Sequence, residues 1–190
     1  TIFSGPKKNT LIQYFKDDAT AFNAKKFQVL EGKGEINNLI SEYLMGILSN
    51  NQISTHFIKK ISNREQLIHE CKIIPLEVVI RNISSGSLCK RLGIKEGLIF
   101  EKPIIEFYYK SDQLNDPIVN NNHIISFGWS DEKELLEINR ISLKVNNILK
   151  RKFEEISISL IDFKLEFGRK TSDNSLVVAD EISPDSCRLC

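Results

Sequence analysis

The segment Leu160-Ile161-Asp162-Phe163-Lys164-Leu165-Glu166-Phe167-Gly168 constrains this chain more than any other. Side chains at i, i+2 and i+4 of a strand share a face, so Asp162, Lys164 and Glu166 line one side and Ile161, Phe163, Leu165 and Phe167 the other. One face is core and the other carries charge. At about 3.3 Å per residue, Asp162 and Glu166 stand roughly 13 Å apart, with the Lys164 ammonium between them. That spacing brackets a polyphosphate and its metal, but it does not let both carboxylates grip one small ion unless the strand curves. The competing reading is a solvated edge face of mutual ion pairs, each worth about 0–1 kcal/mol.

The next apolar run, Leu176-Val177-Val178-Ala179, ends in Asp180-Glu181, and a short polar turn pairs it antiparallel with the first. Asp180 then approaches Glu166 across the ladder. Like charges placed together repel unless a cation joins them, and Mg²⁺ takes oxygen ligands while keeping other positions for water and phosphate. A metal–phosphate site with Glu166 and Asp180 as ligands is the favoured reading. A second constellation precedes it in the chain. An apolar strand carries Arg81, and Ser84-Ser85-Gly86-Ser87 then feeds a short helix closed by Gly93. Helix-start N–H groups, the Ser87 hydroxyl and the Arg81 fork can all donate to one phosphate. The plainer alternative is a turn at Gly86 with Ser87 as helix cap. The segment matches neither the Walker-A nor the dinucleotide-binding fingerprint.

The rest of the chain sets the fold class. The first 30 residues alternate short apolar runs with polar turns, a hairpin pattern. Ile36, Leu39, Ile40, Tyr43, Leu44, Ile47 and Leu48 recur at helical spacing, and a longer helix is expected over 131–156, starting at Asp131 with Glu134 three residues on. Strands are expected over 53–62, 67–83, 157–167 and 175–182, with a short helix near 63–67. Helices and strands mix without a regular βαβ alternation, which points to α+β, with antiparallel sheets and packed helices. The expected division is a small, mostly-β N-terminal lobe over residues 1–72 and a larger α+β lobe over 73–190.

Charge narrows the function classes. Lys+Arg at 26 against Asp+Glu at 25 gives +1, so there is no basic field for nucleic acid. No apolar run approaches the roughly 18 residues of a membrane span. Nothing at the start resembles a signal peptide, and the opening at Thr1 without Met suggests a processed chain or a missing beginning. Cys71, Cys89, Cys187 and Cys190 are too scattered for a disulfide framework, which makes a reducing compartment, the cytoplasm, the default. Cys187 and Cys190 form a C-x-x-C without the partners that a zinc site needs.

The segments 73–87 and 160–168 resemble the two characteristic motifs of the SAICAR synthetase family of purine biosynthesis. Lys33-Gly34 with Asn37-Asn38, Asp116-Pro117, and the run from Asp180 to Leu189 fit the same family in the same order. Ser85 departs from the Ala or Thr usual before Gly-Ser. The resemblance implies an ATP-dependent ligase that joins L-aspartate to the carboxylate of CAIR, a carboxyaminoimidazole ribonucleotide, giving SAICAR, ADP and phosphate through an acyl phosphate. It further implies that Arg81, Ser87 and Arg188 hold the ribonucleotide phosphate and that Asp116 contacts the imidazole amine. Asp162 and Lys164 would lie near the reacting carboxylate, and Glu166 and Asp180 would bind Mg²⁺. Adenine would rest in the cleft between the lobes on a wall of Ile2, Ile73 and Leu165, with Lys110 a candidate phosphate contact. The family's members are commonly oligomeric, so a homodimer is an expectation. The family usually carries a Gly/Lys-rich turn before the position of Thr1 and a Trp-Asp after Leu189, neither of which stands in this sequence. Two readings compete: a non-catalytic nucleotide-binding module and a kinase-like phosphotransferase with another acceptor.

Overall fold

The computed structural model describes residues 1–21 and 26–190. The chain opens with β1 (Ile2–Ser4) and β2 (Thr10–Tyr14), an antiparallel hairpin. The turn between them needs Gly5, because a Cβ there would fall 2.3 Å from the Thr10 hydroxyl. A second hairpin pairs β3 (Asp18–Ala21) with β4 (Lys26–Val29), and its tip lies outside the described residues. Helix α1 (Lys33–Asn50) follows, then β5 (Phe57–Ser62) and β6 (Glu65–His69). The helix expected near 63–67 is instead a tight turn with Ser62 opposite Glu65. The reason is tertiary: β6 is laddered on both edges, to β5 and to β2, and that pairing overrides local helix preference.

Helix α1 forms where expected but faces differently. Leu44, Met45 and Leu48 are buried together with Gly34, Asn37, Asn38 and Ser41, whereas Ile36, Leu39 and Tyr43 are exposed. Hydrogen bonding decides this orientation. The Asn38 amide donates to the carbonyls of Ser62 (2.9 Å) and Asn63 (2.8 Å), and the Gly34 N–H donates to Asp17 at 2.9 Å. A side chain at Gly34 would meet the Phe15 carbonyl, so the helix start sits flush on the first sheet.

The larger sheet begins with β7 (Cys71–Ile83), followed by α2 (Ser87–Leu92), β8 (Ile99–Tyr109), a 3-10 turn (Asp112–Leu114) and β9 (Ile118–Val119). Helices α3 (Asn121–Ser126) and α4 (Glu132–Glu154) come next, and β10 (Leu160–Lys170), β11 (Leu176–Ala179) and β12 (Cys187–Leu189) complete it. The strand order is β11-β10-β7-β8-β9, with β12 also on β10, and every named pair is antiparallel. Asp131 caps α4 by accepting the Glu134 N–H at 2.7 Å. The Glu134 carboxylate turns instead to Ser130 and Arg169, so only half of a capping box forms. Leu135, Ile138, Ile141, Val145 and Leu149 of α4 pack with Ile74, Leu76, Val78, Ile80, Phe163, Leu165 and Phe167 in one core, which the buried end of α1 joins.

That core covers one face of the large sheet. On the other face, β7 presents Glu77, Val79 and Arg81, β8 presents Glu106 and Tyr108, and β10 presents Asp162, Lys164 and Glu166, as the ladder registers require. The four-stranded sheet β1-β2-β6-β5 is joined to the large one at Thr55, which bridges Val178 of β11.

Candidate active site

Strand β10 is central, laddered to β7 along one edge and to β11 and then β12 along the other, so the edge-strand reading of its charged face does not hold. Between β11 and β12 the chain leaves the ladder over residues 180–186, and it is this excursion that carries Asp180, Glu181 and Asp185 past β10.

At the first end of β10, Asp162 lies opposite Arg81 on β7 and Arg188 on β12. Its Oδ2 accepts from both guanidiniums, at 2.8 and 3.2 Å. Arg81 is only 4% exposed and uses its whole fork: Nε donates to Glu106 at 2.8 Å, and one terminal nitrogen reaches Ser87 Oγ and Tyr108 Oη, each at 3.2 Å. Arg91 on α2 donates to Glu106 and to the Tyr108 hydroxyl. Burial pushes the Asp162 carboxyl up from its ordinary value, against the pull of Arg188 and Arg81. Arg81, Ser87, Arg188 and Asp162 are thus brought together. Ser87 caps nothing; it is the first residue of α2, behind Gly86 at φ +60°. Gly86 adopts a backbone conformation that L side chains rarely take, and a Cβ there would lie 2.7 Å from the Arg188 guanidinium and displace that side chain. The Gly86 N–H is taken by Glu96 at 2.9 Å, so the helix start does not offer that donor to a ligand.

At the other end, Glu166 is 3% exposed and accepts from Lys110 at 2.5 Å and Lys164 at 3.4 Å, while Lys164 also reaches Glu77 at 2.7 Å. Burial alone would lower the Lys164 pKa, but Glu77 and Glu166 outweigh it and hold the ammonium above its ordinary value. Asp180 follows the Glu166–Ala179 rung at φ +60°. Burial, then the Glu166 charge, pushes its carboxyl up to about 6. Burial, then Asp180 and Asp185, carries Glu181 to about 7. This end holds more negative charge than Lys110 and Lys164 neutralise. Among the described residues, no group of three or more His, Cys, Asp and Glu side chains stands ready for a metal.

A cavity of about 190 Å³ opens here between the two sheets, lined by Ile2, Ile73, His56, Lys110, Glu166 and Asp180 among others. Burial holds the His56 imidazole down at about 4. A more polar cavity of about 280 Å³ lies on the other side of Asp180, with Lys16, Lys33, Asn37, Glu181 and Asp185 in its wall. Lys33 and the Asn37 amide both bond the Asp185 carboxylate. Leu165 is not brought to either cavity. It lies in the hydrophobic core, on the face of β10 opposite Glu166. The Asp116 carboxylate accepts the Ser111 N–H at 2.8 Å and closes its own turn.

Sequence reasoning assigned no role to Glu106, Tyr108, Arg91 or Glu77. The i, i+2 spacing of Glu106 and Tyr108 in the otherwise apolar stretch from Pro103 to Tyr109 is the signal that could have found the first two. No described helix is long and apolar enough to cross a membrane, and all four cysteines are free thiols.

The family model for SAICAR synthetase matches residues 1–190. A phosphoribosylaminoimidazole-succinocarboxamide synthase of Bradyrhizobium diazoefficiens is 55% identical over 99% of this chain and 74% of its own length. The crystal structure of the enzyme of that name from Ehrlichia chaffeensis superposes with a TM-score of 0.96 at 50% identity, covering 99% of this chain and 80% of that one. A SAICAR synthetase solved in complex with ADP matches with a TM-score of 0.94 at 41% identity, over 100% of this chain and 83% of that one.

Proposed function

The chain belongs to the SAICAR synthetase family, and from that premise we propose that it joins L-aspartate to the CAIR carboxylate at the expense of ATP, using the two ends of β10 for the two phosphate-bearing substrates. The observation that carries this reading is the opposite electrostatic character of those ends on one sheet face. Arginines held by buried carboxylates suit an anionic ribonucleotide; surplus carboxylates suit a metal–nucleotide.

A carboxylate is a poor acyl donor, so phosphorylation by ATP comes first and the aspartate amine then displaces phosphate. Such transfer asks a protein for positioning and charge neutralisation. Arg81, Ser87 and Arg188 hold the ribonucleotide phosphate, and Asp162 fixes both arginines while bounding the reacting carboxylate. Lys164, kept cationic by Glu77 and Glu166, neutralises charge between the two sites rather than serving as a base. Ile2 and Ile73 supply the adenine wall, and the relative solved with ADP supports ATP as the nucleotide. Asp116 contacts the imidazole amine.

Glu166 and Asp180 fit Mg²⁺ because both line one cavity, stand at or just past one rung of the β10–β11 ladder, and bring excess negative charge there, where the Glu166 charge raises the Asp180 carboxyl; they would hold the ion. When bound, the ion supplies neutralisation of the transferring phosphoryl group. Lys110, with its side chain 44% exposed, is free to swing from Glu166 toward phosphate. The reading carries two lobes, 1–72 and 73–190, meeting across this cleft. It also carries the homodimer that the family implies and a cytoplasmic location, which the four free thiols support. Full-length protein given ATP, Mg²⁺, CAIR and aspartate should release ADP only with both co-substrates and form SAICAR. ADP release indifferent to CAIR or aspartate overturns the ligase reading in favour of another acceptor or a non-catalytic module.

A further inference from the structure

His56 is the more deeply buried of two buried polar residues in the cavity wall, His56 and Gln13, that the reaction scheme leaves unused. It is 3% exposed and lies just ahead of β5. Its main chain is stitched to both sheets: its N–H donates to Val178 O at 2.9 Å, and its carbonyl accepts from His69 N at 2.7 Å. The Val178 N–H donates to Ser54 O at 3.0 Å, so three successive residues, Ser54 to His56, clamp the last turn of β11 before Asp180. The imidazole lies against the Asp180 main chain and lines the same cavity as Glu166, Lys110 and Asp180. Its Nε2 is buried and has no hydrogen-bond partner among the described residues, and neither does Gln13 Oε1 in the same wall. A buried polar atom without a partner is costly, and native chains carry one chiefly where a water or ligand completes it.

Asp180 itself needs holding. It is not glycine, yet it adopts φ +60°, a region that is uncommon outside glycine and costs backbone energy even for Asp, which tolerates it better than most. Its carboxylate must also be kept beside Glu166 against mutual repulsion.

We infer that His56 is a positioning residue of the metal–nucleotide site: it locks the left-handed Asp180 beside Glu166, and its Nε2 accepts a hydrogen bond from an O–H donor of the bound Mg·nucleotide. A neutral imidazole has one acceptor nitrogen for that role. Residues that orient metal ligands are worth roughly 10–100-fold in affinity. The inference rests on the assignment of Glu166 and Asp180 as the metal ligands.

The test is calorimetric binding of Mg·ADP, metal-free ADP and CAIR to full-length wild type, His56→Leu, His56→Gln and Asp180→Asn. In His56→Leu the Mg·ADP dissociation constant should rise about tenfold or more while that for CAIR is unmoved. His56→Gln, whose amide can reach the place of Nε2, should recover most of the loss. A loss seen only with Mg²⁺ identifies a coordinated water as the donor; a loss seen also with metal-free ADP identifies a ribose hydroxyl. Wild-type Mg·ADP affinity in His56→Leu, or an equal loss of CAIR, overturns the inference. If Asp180→Asn is also unchanged, the metal assignment falls with it; if Asp180→Asn alone is weakened, only the role of His56 falls. Should His56→Leu not fold, Mn·ADP bound to the wild type should broaden the His56 imidazole proton signals, and unbroadened signals overturn the inference.

Discussion

The two ends of β10 carry similar residues and opposite readiness. At the Asp162 end, Arg81 is held by Glu106, Asp162, Ser87 and Tyr108, Arg188 shares Asp162 with it, and Arg91 shares Glu106, so the guanidiniums outnumber the carboxylates that fix them and are in place before any ligand arrives. At the Glu166 end, burial and then the Glu166 charge push Asp180 upward, burial and then Asp180 and Asp185 push Glu181 upward, and the nearest cations are lysines on flexible stems. The difference is one of preorganisation. A phosphate monoester can dock on a finished arginine lattice, whereas the other end is completed only by an added cation.

The largest expected effect breaks the finished end. Arg81→Ala leaves Glu106 and Asp162 buried without their main partner and should cost about 3–5 kcal/mol in urea denaturation, as well as ribonucleotide binding. A cost below about 1 kcal/mol would mean that this end is not braced by Arg81. At the unfinished end, Glu166→Gln should weaken Mg·ADP at least about tenfold with little change in folding stability, since it relieves the crowding with Asp180. A large loss of stability there would erase the contrast. Gly86→Ala sharpens it: positive φ and a Cβ against Arg188 should cost about 1–3 kcal/mol and raise the CAIR dissociation constant, leaving Mg·ADP binding untouched.

The smallest effect is a control away from both ends. The Arg64 hydrogen bond, then the Gly34 N–H, holds the Asp17 carboxyl at about 2. A depressed folded pKa contributes stability that is present above the unfolded value, near 3.8, and is lost as pH falls through about 2. Asp17→Asn should therefore be less stable than wild type at neutral pH, with the gap closing on acidification, and should move neither ligand's dissociation constant.

How much of this was legible follows from range. The two-faced pattern of 160–168 and the Arg81–Gly86–Ser87 sequence lie within single elements, and period-two reasoning exposes them. Glu106, Tyr108 and Arg91 join Arg81 only through the β7–β8 register, which local pattern does not set. Leu165 shows the limit of a resemblance: its place at the adenine wall conflicts with the same alternation that puts Glu166 on the site face, and the core claims it. In α1, the count of apolar residues favours Ile36, Leu39 and Tyr43, but Asn38 turns the helix by bonding the Ser62 and Asn63 carbonyls, and the Gly34 N–H anchors its start on the Asp17 carboxylate. The Lys33–Asn37–Asp185 contact spans about 150 residues of sequence and required the fold.

The central claim is that one strand divides its labour between two anionic substrates, and a crossed binding experiment tests it most directly. CAIR and Mg·ADP dissociation constants are measured for full-length Arg188→Ala and Glu166→Gln. Arg188→Ala should weaken CAIR alone, and Glu166→Gln should weaken Mg·ADP alone. Equal losses of both ligands in either variant, or the reverse pairing, would contradict the division.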